Sequence, residues 1–441
     1  MKRVKVCFST FIVVLAVVLG NLPVSGEQVT AKGFETPEYY GRTVLSGFDN
    51  SNALLFVYDK IASSMDDINN IIEYGTDYKI EIDISEDGYA VTPAELKTVI
   101  DVYTRDYTGH FWFNKSWSYS YYLNDKSIKI VTKIHMYCYA GREETALAKQ
   151  KYDSAADKLI AGITPDMPEF ERELILHDRL ADHIAYEDGD RVHDAYGALV
   201  DGKAVCDGYT KAFQYLLQRV GIQSFMVTGI GNGVKHAWNI VRIDGRYYNV
   251  DLTWDDQESD TFHAYFNLTD ERIKEDHTFD TTVYRIPECN STEANYFTHF
   301  GEKIQGFSAA ELGALIRKNG NKLHIYVTGD MKAFMAEFSK KVIIGGKEVK
   351  KNYSDMIYAA GLENVFVDDF TAFLGNEVLI KIIVRGDANY DGITDIRDFV
   401  HMKSIIAGNF AENKASDVDK SGNVSATDLA ELKKMLLGIK N

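Results

Sequence analysis

Cysteine is scarce in this chain, with 4 in 441 residues. Cys7 lies in an N-terminal segment that reads as removable, which leaves Cys138, Cys206 and Cys289. Three is an odd number and too few for a scaffold stapled by disulfides. At most Cys138 pairs with Cys289, and Cys206 is then a free thiol whose reactivity needs a reason. Positive charge is also short: 48 basic residues stand against 65 acidic ones, a net of −17. That balance excludes nucleic acid and anionic membrane as main partners. Long apolar runs are missing too. Beyond the first 20 residues nothing approaches the ~18 apolar residues of a membrane-spanning helix.

The single apolar run, Val6 to Gly20, follows Lys2, Arg3 and Lys5 and precedes the small residues Val24-Ser25-Gly26. This is the pattern of a secretory signal peptide, residues 1–26, cut after Gly26. The mature chain is therefore expected to be secreted and extracellular, without a membrane span. Its 45% hydrophobic and 12% aromatic content is that of a globular chain, and its length calls for several domains.

Apolar residues recur at helical spacing from Ala53 to Tyr74, and KIEIDIS reads as a strand. Thr92-Pro-Ala-Glu95 opens a helix, and HFWFNKSWSYSYYL puts Phe111, Phe113, Trp117, Tyr119 and Tyr121 on one strand face. Burial explains that face better than a sugar-stacking platform. Helical patterns run from Glu143 to Ala161 and from Glu169 to Ile184. The texture changes near Tyr296. Ser308-Ala-Ala-Glu311 is a capping box for a helix ending at Asn319-Gly320, and KLHIYVTG, KVIIGG and NEVLIKIIV read as strands around the helix MKAFMAEFSK. The division expected is an N-terminal α/β region 27–168 packed on a core at 169–290, a small α/β domain at 296–384, and a module at 386–441.

That last module is an internal repeat. GDANYDGITDIRDFV and SDVDKSGNVSATDLA align residue for residue. Asp387, Asn389, Asp391, Asp395 and Asp398 occupy positions 1, 3, 5, 9 and 12 of a calcium loop, with Gly392 at position 6. Asp417, Asp419, Ser421, Ser425 and Asp428 repeat the set around Gly422, and the position-7 carbonyls come from Ile393 and Asn423. Both loops end in Asp rather than the longer Glu, and each has only an outgoing helix. A duplicated loop–helix of this kind resembles the type I dockerin module over 386–441. The resemblance implies two structural Ca2+ ions and docking onto a cohesin domain of a cellulosome scaffold. It also implies that loop positions 10 and 11, Ile396-Arg397 and Ala426-Thr427, help to choose the cohesin. The two pairs differ in size and charge, which argues against two equivalent binding modes.

Cys206 opens the helical stripe Tyr209, Ala212, Phe213, Leu216, Leu217 and Val220, which Gly221 closes. A helix N-terminus stabilises a thiolate. A base is supplied by VKHAWNIVRIDGRYYNVDLTW, in which Asp244-Gly245 is a hairpin turn. The turn pairs Ile243 with Arg246 and Arg242 with Tyr247, and the ladder continued would set His236 opposite Thr253 and Trp238 opposite Asp251. His236 and Asp251 then share a face as diagonal neighbours within hydrogen-bond reach. With Cys206 they form a nucleophile, base and orienter.

The blocks HDAYGALVDGKAVCDGYTKAF, HAWNIVRIDGRYYNVDLTWDD and YFNLTDERIKEDHTF, with LHDRLADHIAYE upstream, resemble the transglutaminase-like superfamily. The resemblance implies an α+β chain with a papain/transglutaminase-like catalytic core, followed by the small α/β domain and a mostly helical dockerin. It carries the triad onto Cys206, His236 and Asp251, and gives the Cys206 backbone N–H a share of an oxyanion hole. Tyr196 and Trp238 remain as candidate supports of the site. The chemistry implied is acyl transfer through a thioester, without a catalytic cofactor. The expected function is a cellulosome-docked peptidase or amidase acting on protein or peptide amides. A cross-linking transglutaminase and a non-catalytic binding or structural subunit are the alternatives.

Overall fold

The computed structural model describes residues 33–439, apart from 86–87, 258–259, 283–284, 307, 309–310, 316–321, 339–340, 345–346, 351–364, 375, 390–393 and 420. The expected signal peptide and the end of the helix begun at Ser308 lie outside the described residues. Glu311 N–H does donate to Ser308 Oγ at 3.3 Å, one half of the expected capping box.

The N-terminal region packs α1 (Tyr40–Ser46), α2 (Ser51–Asp66) and α3 (Pro93–Asp106) with an antiparallel sheet. Its strands β1 (Ile71–Tyr74), β2 (Asp77–Asp83), β3 (Phe113–Leu123) and β4 (Lys129–Cys138) lie in the order β1-β2-β4-β3. Thr92 and Glu95 form a reciprocal capping box before α3, with Pro93 in its first turn. The helical spacing read from Ala53 to Tyr74 overran. α2 stops at Asp66, and the Asp67 carboxylate accepts from Asn69 N–H, turning the chain into β1. The aromatic strand also departs from its expected single face. Phe111 precedes β3, and the register shifts between Phe113 and Trp117 and again between Ser120 and Tyr121. Phe111 and Phe113 are buried, Trp117 and Tyr119 half-buried, and Tyr121 exposed.

Two helices, α4 (Arg142–Ile160) and α5 (Glu169–Ala181), lead to a short parallel pair, β5 (Ala185–Tyr186) and β6 (Lys203–Ala204). Then come α6 (Cys206–Arg219) and a meander of β7 (Ser224–Gly231), β8 (Val234–Ile243) and β9 (Arg246–Val250). A one-turn helix α7 (Leu252–Asp255), the small hairpin β10 (Asp256–Gln257) and β11 (Asp260–Thr261), and α8 (Asp270–Ile273) follow. β12 (His277–Phe279) closes the sheet in the order β12-β7-β8-β9.

The apolar stripe on α6 predicts a helix with one solvated face, yet Gly208 to Arg219 are all buried. The N-terminal region covers the polar face and accepts from its amide and guanidinium donors, while Gln214 Oε1, Gln218 Oε1 and Arg219 Nε have no partner among the described residues. Gln214 Nε2 donates to the Arg105 and Asp106 carbonyls, Gln218 Nε2 to the Asp106 carbonyl, and Arg219 pairs with Asp157 at 2.7 Å. One continuous hydrophobic core runs from Tyr40 to Ala294, so residues 40–168 and 169–290 bury their apolar surface together.

A further sheet, β13 (Lys303–Ile304), β14 (Lys322–Val327), β17 (Val365–Leu374) and β18 (Glu377–Val384), has the order β13-β14-β18-β17. The helix Met331–Phe338 and a hairpin of β15 (Lys341–Ile344) and β16 (Lys347–Lys350) join it. β17 was not read from the sequence, because shifts at Val367/Asp369 and Thr371/Phe373 spoil its alternation. β18 leads into the C-terminal repeat, whose two outgoing helices, Ile396–Ile406 and Ala426–Leu436, close over Ala388, Met402 and Leu432.

Candidate active site

Cys206 is the first residue of α6, after Val205 in extended conformation. Helix first turns point N–H groups outward along the axis, and the thiol stands at that end of α6. The residues after it fix its position. A Cβ on Gly208 would lie 2.3 Å from the Val192 carbonyl oxygen and 2.7 Å from the Ala204 Cβ, so only glycine lets the helix start pack there. Tyr209 is fully buried, and its hydroxyl donates to Asp256 Oδ2 at 2.6 Å. From β8, Asn239 Nδ2 donates to the Thr210 carbonyl at 3.0 Å, tying the histidine strand to the cysteine helix.

The β8–β9 hairpin turns at Asp244-Gly245, both at positive φ, and pairs Ile243 with Arg246 and Arg242 with Tyr247 as expected. The ladder ends at Asn239–Val250, so His236 does not face Thr253 and Trp238 does not face Asp251 across it. Asp251 instead leaves the strand and caps α7, accepting from Trp254 N–H at 3.3 Å. The turn brings its other oxygen to the histidine. His236 Nε2 and Asp251 Oδ2 are 2.7 Å apart, with Asp251 fully buried. His236 and the Cys206 thiol line one cleft, and the thiol's own bond goes to Asp207 Oδ1 at 4.0 Å. Burial alone would lower the His236 pKa, but Asp251 and the neighbouring Cys206 outweigh it and carry it to about 10. Asp251 is pushed up by burial and pulled down further by His236 and His277, ending below its ordinary value.

His277 was not singled out in the sequence. β12 pairs with β7, opposing His277 to Gly231, and His277 Nε2 reaches the same Asp251 Oδ2 at 3.2 Å while Nδ1 meets Asp276 at 2.5 Å. Gly231 is part of this packing: a Cβ there would crowd Trp254 at 3.0 Å and the His236 ring at 3.2 Å. A cleft of about 680 Å³ opens on Cys206 and His236, lined also by His193, Asp207, Met226 and Lys235. His193 Nδ1 bonds Asp207 Oδ1 at 3.0 Å. Tyr186, also missed, is an exposed side chain whose hydroxyl is pushed up by desolvation and then by the Cys206 charge.

The two candidate supports, Tyr196 and Trp238, are not among the residues that line the cleft. Tyr196 packs on Phe111 at 4.8 Å with the Arg191 guanidinium 4.2 Å from its ring, and is absent from the cleft lining. Trp238 lies beside His236, but its Nε1 donates to Asn249 Oδ1 at 3.1 Å, so that donor is already used. Cys138 and Cys289 are buried free thiols, not a disulfide. Burial pushes Cys138 up to about 12 and raises Cys289 as well.

A thiol on a helix start shares a cleft with an imidazole that is bonded to a buried carboxylate. Residues 153–252 match the transglutaminase-like superfamily. The chain is 32% identical over 78 residues to human kyphoscoliosis peptidase, covering 15% of this chain and 12% of that protein. The mouse protein of the same name matches at 33% over 78 residues, with the same shares of each chain. The chain thus spans only about an eighth of these curated relatives. A solved structure of a TGase shares 17% identity at a TM-score of 0.22, over 31% of this chain and 44% of that one.

Residues 385–437 match the type I dockerin domain. In its second loop, carboxylate oxygens of Asp417, Asp419 and Asp428 lie within 4.8 Å of one another. The buried Asp428 accepts from the backbone of Asp419 and Ser425, as Asp398 accepts from that of Asn389 and Asp395. Each loop therefore closes onto the first turn of its own helix. Asp391 and Ile393 lie outside the described residues. Ile396, Arg397, Ala426 and Thr427 are exposed on the first turns of the two helices. Arg397 pairs with Asp395, and the Thr427 hydroxyl donates to Asp419. Among the described residues no helix is long and apolar enough to cross a membrane.

Proposed function

We propose that the chain is a secreted cysteine acyl-transfer enzyme, anchored by its dockerin to a cohesin-bearing scaffold and acting on protein or peptide amides. The observation that carries this reading is the His236–Asp251 pair, 2.7 Å apart, set beside the Cys206 thiol in one cleft. The catalytic unit would be 27–290, with 296–384 between it and the docking module at 386–441.

The thiol passes its proton to His236, and the sulfur attacks the amide carbonyl carbon. The oxyanion would form at the start of α6, within reach of the Cys206 backbone N–H. As the C–N bond breaks, the leaving nitrogen takes the proton from His236, and the acyl group remains as a thioester on Cys206. A water that gives its proton to His236 then attacks the thioester carbon, and the thiol is released protonated. Asp251 stays ionised and holds the imidazole in the tautomer and direction these transfers require. An amine in place of water would balance equally and yield a cross-link. We place water there, because a degradative scaffold gains from opening the protein that covers polysaccharide.

In the dockerin, Ca2+ would be held by Asp417, Asp419, Ser421, Asn423, Ser425 and Asp428, and in the first loop by Asp387, Asn389, Asp391, Ile393, Asp395 and Asp398. The gathered carboxylates suit a hard cation with oxygen ligands. Bound there, the ion offsets their mutual repulsion and orders the loops from which Ile396-Arg397 and Ala426-Thr427 project toward a cohesin.

The test is the rate of Cys206 alkylation by iodoacetamide across pH for wild type and His236→Ala, followed by peptide-amide turnover with and without added amine. Faster alkylation of the wild type near neutral pH, and acid release that does not require amine, are expected. A thiol that is inert, or equally reactive in both proteins, would sink the triad and leave a scaffold-docked binding subunit. Product formed only with amine would move the reading to cross-linking.

A further inference from the structure

A second buried assembly of imidazoles and carboxylates shares no residue with the first. His177 on α5 bonds Asp178 Oδ1 through Nδ1 at 3.0 Å and Asp255 Oδ2 through Nε2 at 3.2 Å. His263 Nε2 reaches the same Asp178 oxygen at 2.9 Å. The neighbouring sheet supplies the rest: His324 on β14 and Glu377, the first residue of β18, are joined at 2.7 Å between Nδ1 and Oε1. Glu377 Oε2 also accepts from the His263 backbone N–H at 2.8 Å. His263, His324 and Glu377 are 4%, 7% and 0% exposed.

Hydrogen bonding between two packed units would account for most of this, but it leaves one atom unexplained. His263 Nδ1 is buried and has no hydrogen-bond partner among the described residues. The other ring nitrogen faces a carboxylate, and burial holds the ring below its ordinary pKa. A neutral ring that donates from Nε2 to Asp178 carries a bare lone pair on Nδ1. An imidazole whose far N–H is held by a carboxylate is the usual state of a metal-bound histidine. Nδ1 is also the ring nitrogen nearer the main chain, and that main chain is bonded to Glu377. Ligand atoms of His263, His324 and Glu377 lie within 4.8 Å of one another.

We propose that His263, His324 and Glu377 bind one divalent transition-metal ion of the zinc class, which fastens the sheet of β14 and β18 to the catalytic core. Two imidazoles and one carboxylate suit zinc rather than calcium, which takes oxygen ligands. Bonds of ~2.0–2.1 Å in a tetrahedron set ligand atoms ~3.4 Å apart. His324 Nδ1 and Glu377 Oε1, now 2.7 Å apart, therefore open as the ion replaces their direct bond, the His263 nitrogen closes on them from within 4.8 Å, and water takes the fourth position. Asp178 is a positioning residue that fixes the His263 tautomer.

The test titrates Zn2+, and separately Co2+, into the full chain held in saturating calcium, so that the dockerin stays loaded. One tightly bound equivalent is expected, with the intense visible bands of tetrahedral cobalt and no sulfur-to-metal charge-transfer band. His324→Asn and Glu377→Gln should each weaken it by ~100-fold, and Asp178→Asn by ~10–100-fold. His277→Gln and Cys206→Ser should leave it unchanged. The proposal fails if no equivalent binds, if cobalt shows a thiolate band, or if binding survives His324→Asn and is lost in His277→Gln. Should His324→Asn not fold, the wild-type cobalt spectrum and the Glu377→Gln titration decide alone.

Discussion

The His236 assembly and the His177–His263 assembly are built from the same parts, imidazoles held by buried carboxylates, and differ in what they face. His236 shares an open cleft with a half-exposed thiol. His177 is completely buried and spends both nitrogens on carboxylates, which raises its pKa to about 9 against the lowering effect of burial. The comparison shows how access divides roles. A polarised imidazole at a cleft can move protons, whereas a sealed one can only hold parts together.

Removing the cleft-side thiol should separate the two most sharply. Cys206→Ser is expected to cut turnover of peptide amides on the order of 10⁴-fold or more, with an unchanged unfolding midpoint in urea. Asp251→Asn should lower kcat by ~10³–10⁴-fold, since it permits the wrong His236 tautomer. The sealed assembly should answer in the opposite currency of stability. His177→Ala leaves Asp178 and Asp255 without their shared partner and should cost ~3–5 kcal/mol in urea unfolding, with kcat within a few-fold of wild type at low temperature. A large kcat loss with unchanged stability in that variant would break the comparison.

Protonation offers a finer cut. The folded-state pKa of His236 is raised from about 6.5 to about 10. Its contribution to stability is therefore fully present below about 6.5 and lost as pH rises toward about 10. The stability gap between wild type and His236→Gln should shrink steadily between pH 7 and 10, and a gap that widens would contradict the assignment. The smallest effect belongs to Tyr209→Phe. Losing the hydroxyl bond to Asp256 should cost ~1–2 kcal/mol in unfolding, with at most a few-fold change in turnover.

The part of the site read from the sequence was the part local rules could reach. A tight turn at Asp244-Gly245 fixes the hairpin register as far as Asn239–Val250, which leaves Asp251 one residue beyond the strand that pairs with the His236 strand. What the ladder could not predict was its own end at Val250, where capping α7 rather than strand pairing delivers the Asp251 carboxylate. His277 reaches Asp251 only because β12 returns to the far edge of β7, and no spacing in the chain signals that. The buried polar face of α6 was hidden for the same reason, since Gln214 and Gln218 find their acceptors on α3. The early helix was overread because Ile68 and Ile72 keep the helical spacing after Asp67 has turned the backbone. In the dockerin, by contrast, loop, glycine and outgoing helix are contiguous, and the architecture follows the sequence closely.

The three free thiols of the described residues are unequal in a useful way. Cys138 and Cys289 are sealed in the interior, and burial keeps both protonated far above neutral pH. Cys206 alone meets solvent. Among the described residues, a fluorophore, spin label or electrophilic warhead aimed at sulfur will therefore mark a single address, in the cleft. Once the expected signal peptide with Cys7 is removed, no cysteine-stripped background is needed, and a covalent probe reports on the candidate site.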